Sequence, residues 1–496
     1  MLSVAFIESA TRRRETGKSK AYFINPAIAL AVAFLTALSL YSLFKGLTAN
    51  VFQLRESLIA FSFEGVVLSL ALIFKTHYSG IRLFEPFTMV TVVYTLTFFV
   101  APVLEFGVGN TSRFGVDVSG NALLATITAT LGYIAFYAGY ELYHPMMKRI
   151  PKTSVETVSP ERAVLVKQIA LFIWLLCYVL CLYNYLKRGY SLSYIVTAGF
   201  GGESDAEIAE DSLAFLSYAK YALVGSWMCL FPFSKNRLIL VTTYVLTVSM
   251  LLFGGSRSSL LMILIAPIAF QCIRIGREPS LRSVLIAAVV LVFAFAVIQV
   301  ARNGVKLGNG FSLEGYELAD MFTPYLNEIE GFKVYYSLFD VFPVKKSFLL
   351  GTQMVGYTLI MLVPRSIWPG KPDAPIHDIV YQAMGLQALQ SGNSYPFIGE
   401  LFVEFGVPGC ILGMLLFGAL CKKIGTLWSS WHGNTFPLVE YCLFYPALFQ
   451  FMIRGYFPSN CMMFMFLLAP VLLVKFLSKK GASRHTVIAT GGGARH

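Results

Sequence analysis

The stretch AYFINPAIALAVAFLTALSLYSLF, residues 21–44, contains no Asp, Glu, Lys or Arg. A helix rises about 1.5 Å per residue, so about 20 apolar residues cross a hydrocarbon core about 30 Å thick. Arg12, Arg13, Arg14, Lys18 and Lys20 precede the run. It is too long for the apolar region of a signal peptide, and no small-residue cleavage site follows it. It therefore reads as a first membrane span.

Working outward from it, further apolar runs fall at 57–74, 86–106, 120–143, 166–186, 213–232, 237–254, 258–273, 280–301, 402–421, 435–452 and 458–477. Together they predict about twelve membrane-spanning helices. Composition agrees. The 496 residues are 56% hydrophobic and only 13% charged, where a soluble domain carries about 25% charge. Mean hydropathy is +0.66. Such a chain cannot cover itself with a water-exposed surface, which excludes a soluble enzyme, a disordered chain, a collagen and a coiled coil. The fold class is an all-α polytopic membrane protein.

The net charge of +12 reads as a positive-inside bias, not as a nucleic-acid surface. With the N-terminus inside, the inside segments hold Lys75 and Arg82, then Lys148, Arg149, Lys152 and Arg162, then Lys235 and Arg237. Arg274, Arg277 and Arg282 follow, then Lys422 and Lys423, then Lys475, Lys479, Lys480 and Arg484. The other face receives the acidic run Glu203–Asp211 and one long segment. The expected organisation is a basic cytoplasmic segment 1–20, spans one to nine over 21–301 and a long external loop 302–401. Spans ten to twelve over 402–477 and a cytoplasmic tail 478–496 follow. The loop contains an apolar stretch, Phe348–Val363, too short to span; it is expected to form an interfacial or re-entrant helix. The end of the tail, Arg484–His496, is expected to be disordered.

This topology puts four arginines on the disfavoured, external side. Arg257 lies in the turn Gly254-Gly255-Ser256-Arg257. Arg302 ends span nine and is followed by Asn303-Gly304. Arg365 lies in Val363-Pro364-Arg365-Ser366-Ile367-Trp368-Pro369-Gly370-Lys371-Pro372. Arg454 lies in Arg454-Gly455-Tyr456-Phe457-Pro458. A single arginine at a span end can snorkel to the interface. Four on the wrong side, three of them beside glycine, point to an anionic, membrane-held ligand, because guanidinium groups bind phosphate bidentately. Lys371 supports them.

Glu400 and Glu404 stand four residues apart, on one helix face, where like charges repel. Each is either paired structurally or put to work as a base. His377, beside Asp378, is a second candidate base. Trp368 and Tyr395 can stack on sugar rings or sit in an aromatic interfacial belt. Glu64 and Glu440 lie within spans and are expected to face the bundle interior. The eight cysteines mostly fall in apolar runs and read as packing residues. No Walker, dinucleotide or zinc motif is present, so the sequence supports no cofactor, no metal and no nucleic-acid partner.

These motifs resemble the O-antigen polymerases, the Wzy-type oligosaccharide repeat-unit polymerases of bacterial envelopes. The resemblance rests on Gly255-Ser256-Arg257-Ser258, on Pro364-Arg365 with Trp368-Pro369 and Lys371-Pro372, on Ser391-Gly392-Asn393 with Gly399-Glu400 and Phe405-Gly406, and on Arg454-Gly455. It covers the chain from about 254 onward. It implies a multi-pass enzyme of the bacterial inner membrane with its active site on the periplasmic side. Its partners are an undecaprenyl-diphosphate-linked oligosaccharide, membrane lipids and a chain-length regulator membrane protein. It implies a glycosyltransferase that needs no metal. On this reading Arg257, Arg302, Arg365 and Arg454 stabilise the leaving diphosphate, with Lys371. Tyr395 and Trp368 contact sugar, and Glu400, or else His377, takes the proton of the acceptor hydroxyl. A single inverting displacement is the simplest scheme. Two alternatives use the same lipid-linked material: an O-antigen ligase, which His377 keeps open, and a flippase or exporter. The latter should instead line a central cavity with charge.

Overall fold

The computed structural model describes residues 26–143, 159–187, 214–253, 257–290 apart from 281, 285 and 288, 331–385 apart from 366, 395–429 and 435–491. The first helices run α1 (Pro26–Thr48), α2 (Phe52–Tyr78) and α3 (Pro86–Gly107). A two-strand hairpin of β1 (Ser112–Arg113) and β2 (Val116–Asp117) follows. Next come α4 (Ser119–Leu142), α5 (Pro160–Lys187), α6 (Ala219–Leu230), α7 (Arg237–Phe253) and α8 (Arg257–Ile275). The remainder is α9 (Gly331–Val341), α10 (Thr358–Met361), α11 (Pro375–Met384), α12 (Phe397–Ser429), α13 (Thr435–Ile453) and α14 (Phe457–Gly491).

Helices are the expected answer to these apolar runs, because each backbone N–H and C=O is satisfied within its own segment. Hydroxyls inside the spans follow the same rule. Ser39 bonds the carbonyl of Leu35, Ser69 that of Gly65, and Ser226 that of Ala222. Among the described residues eight helices are long and apolar enough to cross a membrane: α1 to α5 and α12 to α14. The expected spans at 213–232, 237–254 and 258–273 appear as α6, α7 and α8, which are not among these eight. Most of the expected span 280–301 lies outside the described residues. The chain is a polytopic all-α membrane protein.

The helices form two apolar cores. One joins α1 to α4 with α9, α11 and α12. The other joins α5 to α8 with much of α13 and α14. Glu64 and Glu440 are held inward, Glu64 with 1% exposure and Glu440 against Lys475 at 2.9 Å. The cysteines are free and mostly buried. The tail differs from expectation: α14 runs on as helix to Gly491, since Ser478-Lys479-Lys480-Gly481-Ala482 contains no proline to stop it.

The largest difference lies in the segment read as an external loop. Gly331-Phe-Lys-Val-Tyr-Tyr-Ser-Leu-Phe-Asp-Val341 folds as α9, buried throughout except at Asp340. It packs on α4, α11, α12 and the π-helical turn Thr95–Val100 inside α3, and the rings of Phe339 and Phe402 stack at 3.9 Å. Its one cation, Lys333, is fully buried and meets Glu105 of α3 at 3.0 Å and the Ser112 carbonyl at 3.3 Å. Part of the segment is thus inserted into the bundle instead of lying over it. The stretch Phe348–Val363 is helical only over Thr352–Met361, and its first turn, Thr352–Tyr357, is π-helical.

The described ion pairs gather mostly at the opposite end of the bundle. Lys75, 1% exposed, lies 3.1 Å from Glu85 and 2.9 Å from Glu141. It also sits 4.8 Å from the centre of the Tyr140 ring, whose hydroxyl donates to Glu85. Tyr441 and Tyr445 bond the carbonyls of Phe84 and Leu83.

Candidate functional site

The site begins with a break in α12. Pro408 has no N–H for the Glu404 carbonyl four residues back, and Gly406 takes a positive φ of 66° that only glycine adopts freely. The carbonyls freed at Val403 and Glu404 accept instead from the N–H groups of Leu349 and Leu350, at 3.1 and 2.9 Å. This pins the segment before α10 against α12. The Glu404 carboxylate completes the joint. It accepts from the N–H groups of Gly351 and of Met354, the latter at 2.6 Å. Glu404 therefore caps the helical segment 352–361, a role suited to a carboxylate at a positive helix end.

Glu400 lies one turn earlier and is fully buried. Its Oε2 accepts from Gln353 Nε2 at 2.7 Å and from the Tyr395 hydroxyl at 2.8 Å. Its Oε1 accepts from the N–H of Phe457, the first residue of α14, at 3.4 Å. An ionised carboxylate has about four acceptor positions, so one on Oε1 is left. Gln353 Nε2 also reaches the Tyr395 oxygen at 2.9 Å. Burial, and then the Glu400 carboxylate, push the Tyr395 hydroxyl well above the usual tyrosine range. That keeps the proton on Tyr395 and makes it a donor. Tyr395, expected to meet sugar, thus faces Glu400 with its ring fully buried.

The turn Arg454-Gly455-Tyr456 closes over this node. The Gly455 N–H donates to the Tyr395 carbonyl at 2.8 Å. A Cβ at 455 would lie 2.6 Å from the backbone of Phe397, so this glycine serves a close backbone approach. Arg454 is exposed, and its carbonyl accepts from Asn460 at 2.6 Å.

Arg365 and Lys371 form a second cationic unit. Arg365 donates to Asp373 at 2.6 Å and to the Lys371 carbonyl at 3.0 Å. Lys371 Nζ caps the end of α10 through the carbonyls of Val363, at 3.1 Å, and Met361, at 3.4 Å. Burial, and then Arg365, hold the Lys371 ammonium below the usual lysine range. Trp368 is 42% exposed on the same turn. Tyr357 and Tyr456 connect the two units. Their ring centres are 6.5 Å apart; burial holds the Tyr357 hydroxyl above the usual tyrosine range, with Arg365 lowering it and Asp373 raising it further.

Of the expected residues, the fold brings Tyr395, Glu400 and the Arg454 turn together, with Arg365, Lys371 and Trp368 on the adjoining turn. His377 lies on α11 and Arg257 opens α8, but their side chains are outside the described residues. Arg302 and Ser391–Ser394 are outside them altogether. Sequence reasoning did not single out Gln353. It lies 47 positions from Glu400 in a stretch read only as apolar, and no local pattern marks it.

These features define a polytopic membrane protein with guanidinium groups and a buried carboxylate at one end of its bundle. The chain matches the family model of the O-antigen polysaccharide polymerase Wzy over residues 28–480, and it belongs to that family. No curated protein and no solved structure matches it. As a member it polymerises lipid-linked oligosaccharide repeat units in the membrane, and nothing favours the ligase or flippase alternative.

Proposed function

We propose that the polymerisation is a metal-independent, inverting glycosyl transfer carried out at the periplasmic face of the inner membrane. The donor is an undecaprenyl-diphosphate-linked glycan. The acceptor is the non-reducing end of another lipid-linked unit. The observation that carries this reading is Glu400: a buried carboxylate with no cationic partner among the described residues and one open acceptor position, beside the Arg454 turn.

In this scheme the acceptor hydroxyl gives its proton to Glu400 Oε1, and its oxygen bonds the anomeric carbon. The bond from that carbon to the diphosphate oxygen breaks, and the electron pair leaves on the diphosphate. Arg365 and Arg454, with Lys371, Arg257 and Arg302, stabilise the growing charge. These side chains supply the cations that such a leaving group needs, so the scheme uses no metal. Trp368 lines the glycan path, Tyr395 holds Glu400 in place, and His377 is the second candidate base. A chain-length regulator is the expected membrane partner. Segments 1–20 and 478–496 lie on the cytoplasmic side, and 302–401 belongs to the periplasmic side.

Two experiments test the reading. Purified protein given its lipid-linked repeat unit should build polymer in the presence of a chelator, with the new linkage opposite in anomeric configuration to the donor. Retained configuration overturns the single displacement. In intact spheroplasts a membrane-impermeant thiol reagent should label Asn309→Cys and spare Ser154→Cys; the reverse pattern overturns the sidedness.

A further inference from the structure

Two buried polar atoms in the segments that bond Glu400 have no hydrogen-bond partner among the described residues: Gln353 Oε1 and the Tyr456 hydroxyl. Gln353 is itself fully buried. Its partners decide which end of the amide is which. In the ionised form that acts as the base, Glu400 Oε2 can only accept, and Tyr395 spends its single proton on Glu400. Both contacts made by Gln353 therefore need N–H, and the two hydrogens of Nε2 supply them. The carbonyl Oε1 is left over. Leaving such an atom buried and unpaired is costly, so the arrangement asks for a donor beyond the described residues.

The chemistry of that donor is restricted. A carbonyl oxygen accepts and cannot donate. A diphosphate oxygen has no proton to offer it, whereas a sugar hydroxyl or acetamido N–H does. The Tyr456 hydroxyl can donate to a sugar oxygen. Tyr456 immediately precedes Phe457, whose N–H binds Glu400. Its ring faces that of Tyr357, which lies on the same π-helical turn as Gln353. Gln353 thus adjoins the carboxylate that has one acceptor position open, and Tyr456 stands next in the chain to the residue whose N–H binds it.

We propose that Gln353 and Tyr456 form the acceptor-sugar subsite of this polymerase. Gln353 Oε1 accepts from a hydroxyl or acetamido N–H of the terminal sugar, and Tyr456 donates to an oxygen of the same ring. This deepens the reading above and rests on Glu400 as the base. It also makes the subsite selective, because an acceptor ring with no donor at that place leaves a buried carbonyl unpaired.

The test is Tyr456→Phe, which deletes only an oxygen that no described residue bonds. The probe is the repeat-unit oligosaccharide without its lipid diphosphate; with no leaving group, it can serve only as acceptor. Its KM should rise about tenfold, while thermal stability stays at or above the wild-type value. An unchanged KM, as when solvent alone satisfies these atoms, overturns the subsite. So does a loss of activity matched by a loss of stability. Glu400→Gln, run in parallel, keeps the two readings apart. If Glu400→Gln is inactive and Tyr456→Phe is normal, only the subsite fails. If Glu400→Gln remains active, the base assignment on which the subsite rests fails.

Discussion

Two buried charged clusters of the bundle, around Lys75 and around Glu400, are held in opposite ways. In the first, Lys75 sits between Glu85 and Glu141 and over the Tyr140 ring, and Tyr140 in turn donates to Glu85. Opposite charges face each other, so the arrangement ties α2, α3 and α4 together. In the second, Glu400 meets only neutral donors, and two polar atoms in the segments that bond it have no partner among the described residues. A closed network of charges contributes to stability when whole and asks nothing of a ligand. An incompletely paired node is costly to keep unless something else completes it. On the proposed reading, the contrast separates charge that holds the fold from charge set aside for substrate.

The largest effect is expected at the incompletely paired cluster. Glu400→Gln keeps the oxygen that meets Gln353 and Tyr395 and places the amide near the Phe457 N–H, a contact already long at 3.4 Å. Protein should reach the membrane at normal abundance, with polymer synthesis down about 10²–10⁴-fold, as for loss of a general base. Near-normal polymer on a gel would remove Glu400 from the chemistry and direct attention to His377.

Lys75→Met probes the closed cluster. It strands two carboxylates at the low end of the cost for breaking a buried pair, about 3–5 kcal/mol, since Glu85 and Glu141 keep 17% and 29% exposure. Thermal stability and abundance should fall, while activity per folded molecule stays level. A drop in specific activity at full stability would break the comparison.

Arg365→Lys keeps the charge and loses the forked geometry. Polymerisation should fall about 10–100-fold at equal protein level. Wild-type activity would make Arg365 a general positive charge or an interfacial anchor. The smallest effect is expected from Lys371→Met, which removes the cap on the carbonyls of Met361 and Val363. The loss should be about 0.5–1.5 kcal/mol of stability, visible as a small shift in Tm, with weaker donor binding beside it. A large stability loss would mean that Lys371 belongs with the structural charges.

The residues that could be read in advance share a local signature. Runs such as 21–44 must become helices because nothing else satisfies a backbone in hydrocarbon. Glu400 and Arg454 stood out as charges at span ends. The Pro364-Arg365 run with Trp368-Pro369 and Lys371-Pro372, supported by the shorter motifs at 255–258, 391–406 and 454–455, brought the family into view over the second half of the chain. Helix α9 escaped because Lys333, near the start of a short apolar stretch, argues against burial until Glu105 is placed beside it. Gln353 escaped because an uncharged amide carries no signal along the chain.

What the sequence by itself determined is the class: a helical membrane protein of the polymerase family. That much follows from composition and short-range pattern, which act through transfer of side chains between water and hydrocarbon. Only the tertiary structure decided which of two glutamates one turn apart caps a helix and which keeps an acceptor position open. Both share a helix face, and the sequence treats them alike. Their difference is made by partners from elsewhere in the chain: the Gly351 and Met354 amides at Glu404, and Gln353 and Phe457 at Glu400. Hydrogen bonds depend on direction and on distances near 3 Å, and such distances between remote segments exist only once the chain has folded.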